Sequence, residues 1–109
     1  MRVEVTIEID DSVVMSAVES GLRYISQTWG EVSKRPSVMG SSWIVVENDP
    51  DLADAGSHQT LGRIEIIDGV KYLAMDEPAE YAKLMTGNAD EHTGSLIVQY
   101  GLWSVSRYV

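Results

Sequence analysis

The feature that most constrains this chain is a change of hydrophobic period at Asp10. Residues 3–9 read Val-Glu-Val-Thr-Ile-Glu-Ile, placing Val3, Val5, Ile7 and Ile9 on one face of a strand and Glu4, Thr6 and Glu8 on the other. From there on Val14, Val18, Leu22, Ile25 and Trp29 recur at helical spacing and make one stripe of an α-helix. Asp10 is placed to cap that helix, with Val14 packing back on Ile9 as a staple, and Asp10 and Asp11 both suit the positive end of its dipole. Gly30 supplies a stop. A strand and a helix that each have one apolar face must share a core, which predicts an α+β fold.

The remainder of the chain extends that pattern. Glu31 to Ser42 carries Pro36, Gly40 and several serines and reads as a loop, whereas Trp43-Ile44-Val45-Val46 within 42–47 reads as a short, largely buried strand. Asn48 to Thr60 is polar and rich in Asp and Gly, and predicts an exposed excursion. Asp68-Gly69 sits between two strand-like runs, 61–67 and 70–75. This predicts a two-residue hairpin with Ile67 opposite Val70, Ile64 across from Leu73, and Glu65 across from Tyr72. Asp76 would then cap a short helix with Pro78 in its first turn and Gly87 at its end. Asn88 and Glu91 have capping-box spacing, with Asp90 competing for the cap, ahead of a last helix running to about Leu102. That helix turns Thr93, Leu96, Ile97 and Tyr100 inward, and Gly94 and Gly101 weaken it by about 1 kcal/mol each relative to alanine. The tail, 104–109, alternates in polarity and predicts an edge strand, a natural site for self-pairing into a homo-oligomer.

The expected architecture is therefore one domain over 1–109: an antiparallel sheet of three to five strands with two or three helices packed mainly on one face. Its chemistry is bounded by charge and by cysteine. Seventeen acidic against eight basic side chains leave a net charge of −9, a field that repels phosphate backbones and anionic membranes and attracts basic protein surfaces. There is no cysteine, hence no disulfide, thiolate nucleophile or cysteine-ligated zinc, in keeping with a reducing cytoplasm. No window approaches the roughly 20 apolar residues of a membrane span, and the first residues lack the apolar run of a signal peptide.

Two segments carry a resemblance. Val14 to Trp29, VMSAVESGLRYISQTW, is similar to the early helix of a family of small tailed-phage and prophage proteins. In that family a Glu/Asp-Gly-Gly turn of helix precedes a Tyr-Trp pair. The end of the chain, with Asp90, Ile97, Val98, Gln99, Leu102, Trp103 and Tyr108, resembles that family's closing motif, and Gly62 to Leu84 fits the strand, hairpin and short helix between them. Here Ser20-Gly21 stands in place of the paired glycines, and Trp29 lies five residues beyond Tyr24 instead of beside it. The resemblance implies a phage context and no particular mechanism.

Catalytic patterns do not emerge. The serines lack a nucleophile elbow, the glycines never reach phosphate-cradling spacing, and His58 and His92 are 34 residues apart in polar surroundings. Asp49, Asp51, Asp54 and Gly56 miss the register of a calcium loop. Asp10-Asp11, Asp76-Glu77 and Asp90-Glu91 each stand where a helix should begin, so capping explains the paired carboxylates. No catalytic residue, metal ligand or cofactor is assigned. The candidate binding residues are Arg23, Tyr24, Trp29, Gln99 and Trp103, which supply a cation, aromatic rings and an amide. Two functions fit: a non-catalytic phage accessory factor that binds a basic surface of a host protein, or a binder of a nucleotide-like small molecule held on Arg23 and an aromatic ring. A minor virion component is a third.

Overall fold

The computed structural model describes residues 9–35, 42–48 and 58–108. Helix α1 runs Asp11–Gln27 and begins where the period changes: the Asp10 carboxylate accepts the Ser12 N–H at 2.8 Å, satisfying one of the donors a helix start leaves open. Val18, Leu22 and Ile25 of the expected stripe are buried, and Trp29 is buried just beyond the helix end. The strand expected over 3–9 lies outside the described residues, apart from Ile9.

The sheet is antiparallel, with strands β1 (Gly30–Arg35), β2 (Ser42–Glu47) and β3 (His58–Leu61) in the order β1-β2-β3. Gly30 opens a strand here, so the first half of the expected 31–42 loop is a strand, at the edge of the sheet among the described residues, with Gly30 opposite Glu47 and Arg35 opposite Ser42. Its side chains gave no strand signal because Glu31, Ser33 and Lys34 are exposed and only Val32 leans on the core; the β2 backbone decides the conformation. Strand β2 is as read, with Trp43, Val45 and Glu47 alternating inward. The end of the expected 48–60 excursion, from His58, is strand as well, whereas 49–57 lie outside the described residues.

The expected hairpin is a helix. Helix α2 spans Arg63–Asp76, so none of the pairings across Asp68-Gly69 forms. Ile66, Gly69 and Leu73 also recur at helical spacing and are buried. The β-branched run favours a strand, but tertiary packing overrides that propensity. Helix α3, Pro78–Met85, starts as read with Pro78 in its first turn, although Glu77 and not Asp76 is its cap residue.

Helix α4 spans Glu91–Trp103. Its capping box joins Asp90 and Thr93, displacing the Asn88–Glu91 alternative: Asp90 Oδ1 accepts the Thr93 N–H at 3.0 Å, and Thr93 Oγ1 accepts the Asp90 N–H at 3.3 Å. Every residue from Thr93 to Tyr100 is buried, so α4 is the central element and not a helix with a single inward stripe. It packs against α1, α2 and α3 and reaches β3.

Glycines permit those contacts. A Cβ on Gly94 would overlap the Ala17 carbonyl oxygen and lie 2.8 Å from Gly21 N, while one on Gly69 would overlap the Ile97 carbonyl oxygen and one on Gly101 that of Glu65. Backbone-to-backbone approach of this kind is closed to any residue with a side chain. The tail, finally, is not an edge strand over 104–108: Ser104 takes a left-handed conformation with φ 61°, and the residues after it return onto α4.

Candidate functional site

The five candidate binding residues occupy two separate places. The buried Trp29 and Gln99 and the half-buried Trp103 form a cluster that holds the C-terminal tail. Gln99 is fully buried, and its carboxamide mimics a strand partner: Oε1 accepts the N–H groups of Arg107 and Tyr108, both at 2.7 Å, while Nε2 donates to the Tyr108 carbonyl at 3.2 Å and to Ser95 Oγ at 3.1 Å. The tail then inserts its side chains. The Tyr108 ring stacks on Trp29 with centroids 4.1 Å apart and planes 9° off parallel, and the Arg107 guanidinium lies 4.3 Å over the Trp103 ring. Both converge on Glu47, whose side chain is only 2% exposed: Arg107 Nη1 donates to Oε1 at 2.8 Å and the Tyr108 hydroxyl to Oε2 at 2.5 Å. Each carboxylate oxygen thus has a strong donor, which is the condition for keeping a charge inside a protein. With both oxygens engaged and the rings stacked together, the cluster ties the junction between α1 and β1 to β2, α4 and the tail.

Sequence reasoning missed Glu47, Arg107 and Tyr108 as a unit. A signal was present for Glu47, because it shares the inward face of β2 with Trp43 and Val45, and a charge in such a position implies a partner.

Arg23 and Tyr24 line an open groove of about 430 Å³ between α1 and the start of α4, together with Gln27, Asp90, Glu91 and His92. Arg23 is exposed and Tyr24 half-buried, so the groove offers an aromatic wall next to charges of both signs. Behind Asp90 stands a polar network that the sequence did not reveal. Thr93 Oγ1 lies 2.7 Å from Glu80 Oε2 and 3.0 Å from Asp90 Oδ1, and Lys83 Nζ lies 3.0 Å from Glu80 Oε1 and 3.7 Å from Asp90 Oδ2. The Thr93 backbone N–H, ahead of Lys83, holds the Asp90 carboxyl below its ordinary value. Burial alone would raise Glu80, but hydrogen bonds from Thr93 and Lys83 outweigh it and leave its carboxyl lowered too. Both are therefore firmly anionic at neutral pH. An anionic ligand entering beside Arg23 would meet Asp90 and Glu91, so the groove suits a cation, such as a lysine or arginine side chain, better than a phosphate.

Among the described residues no three His, Asp or Glu side chains are placed to hold a metal ion, and no helix is long and apolar enough to cross a membrane. His58 is exposed on β3 and His92 half-buried at the groove. No family model matches the chain, and neither does any curated protein or solved structure.

Proposed function

We propose that the chain is a non-catalytic accessory factor of a phage or prophage that binds a basic surface on a host protein, as an inhibitor in host takeover or against host defence. The observation that carries this reading is the groove at the start of α4, where Tyr24 stands beside Asp90 and Glu91 in a molecule of net charge −9. A ring for a lysine or arginine stem to lie on, with carboxylates to receive its head, is a recognition pattern for basic side chains, and the overall charge steers such a partner toward it. The phage context rests on the two sequence segments described above.

Pull-down from host lysate at low and moderate salt tests the reading. A basic host protein should co-purify, elute as salt rises, and bind more weakly to Glu91→Lys, a change at an exposed site that leaves the Asp90 cap in place. Recovery of background proteins alone at both salt concentrations refutes it.

A further inference from the structure

Helix α2 has a second apolar face. Besides the residues buried against α4, Ile64, Ile67 and Met75 point outward with exposures of 73%, 43% and 73%. Ile64, Ile67, Asp68, Lys71, Tyr72 and Met75 follow one another at offsets of three, four, seven, eight and eleven, so they form one stripe along the helix. Leaving such a stripe in water is unusual for a surface helix, whose outward face is normally polar. Asp68 and Lys71 are both exposed, and among the described residues neither has an ion-pair partner.

The stripe is self-complementary. About the midpoint between Gly69 and Val70, Ile64 is the counterpart of Met75, and Asp68 is the counterpart of Lys71. We infer that two copies of this chain associate through α2, antiparallel about a twofold axis. In that arrangement Ile64 of each copy meets Met75 of the other, and each Asp68 meets a Lys71, with Ile67 and Tyr72 flanking. An isologous contact requires one patch to complement itself, and this patch does so in both shape class and charge. The opposite orientation is disfavoured, because parallel α2 helices would set Asp68 against Asp68 and Lys71 against Lys71. Two central ion pairs therefore fix register and direction, while the apolar ends supply the driving force. With 14 residues the helix is about 21 Å long. A single pair of helices of that length covers less than the roughly 1,200–2,000 Å² of a standard interface, so the dimer is weak and concentration-dependent. This association is separate from the groove at α4, and either can fail without the other.

Sedimentation equilibrium over the micromolar to millimolar range tests it. The native chain should shift from monomer toward dimer, and Ile64→Glu should remain monomeric with unchanged circular dichroism. Asp68→Lys and Lys71→Asp should each weaken self-association about tenfold, because two symmetry-related pairs turn repulsive. Mixing those two variants should restore association, since each then presents the charge the other lacks, and the double variant D68K/K71D should regain the native behaviour alone. A chain that stays monomeric throughout the range overturns the inference, as does a dimer indifferent to the charge changes.

Discussion

Replacing Gly94 by alanine sets two physical effects against each other in a way that separates local from tertiary control. Within an isolated helix the change is favourable by about 1 kcal/mol, because alanine loses less backbone entropy on folding. In this protein the new methyl carbon would overlap the Ala17 carbonyl oxygen and lie 2.8 Å from both Ala17 C and Gly21 N. Carbon contacts are comfortable only from about 3.5 Å, and every obstructing atom is backbone, so no side-chain rotation relieves the overlap. Helices α1 and α4 must move apart, opening the contact around Val18, Leu22 and Ile97, all nearly or fully buried. Overpacking costs about 1–3 kcal/mol even where side chains can give way. Taking the upper end and subtracting the helix gain leaves a net loss of about 2 kcal/mol, a large part of the roughly 5–15 kcal/mol a domain has. Thermal unfolding followed by circular dichroism should show a fall in Tm of about 8–16 °C. Gly87→Ala is the control: it has open space around it and a φ of +74°, so it should cost only the left-handed strain, about 1–2 kcal/mol, without loosening the core. A Gly94→Ala variant as stable as the native chain, or more so, would refute the close-approach reasoning.

Other expectations follow from the tail cluster and the polar network. Gln99→Leu removes the acceptor for the Arg107 and Tyr108 N–H groups; it should cost about 2–4 kcal/mol, with those two amides exchanging hydrogen much faster, read by NMR. Arg107→Met leaves the buried Glu47 carboxylate with the Tyr108 hydroxyl but no cation, and should lower the urea midpoint by the equivalent of about 3–5 kcal/mol at neutral pH. Glu80 and Asp90 are both held below their ordinary values, so their stabilising contribution is present at neutral pH and disappears as pH falls through and below 4.5 and 3.8. Glu80→Gln should flatten the acid limb of the stability profile. Burial, and then the nearby Glu77, raise the Tyr100 hydroxyl above 10.0. Its contribution is therefore complete below that pH and lost on further alkalinisation, and Tyr100→Phe should blunt the loss.

The sequence by itself determined those parts of the molecule whose causes are local. Asp10 starts α1 because a carboxylate two residues before a backbone N–H can cap it wherever the helix is found, and the stripe from Val18 to Ile25 identifies the buried face by period alone. Strand β2 announced itself through its apolar run, and Pro78 marked the first turn of α3. Tertiary structure decided the rest. Asp68-Gly69 is a good hairpin turn in isolation, yet Gly69 is needed where α2 lies on the α4 backbone, and no local rule contains the position of Ile97. Strand β1 exists because β2 offers it hydrogen bonds, not because its own side chains favour extension. Of the candidate site residues, Arg23 and Tyr24 reached a groove, while Trp29, Gln99 and Trp103 hold a tail whose grip depends on Glu47, 60 residues away from Arg107 in the chain. Caps and periods are properties of a few neighbouring residues and survive in any context. Close approaches and buried charge pairs are properties of two distant segments together, and they come into being only when the fold has brought those segments into contact.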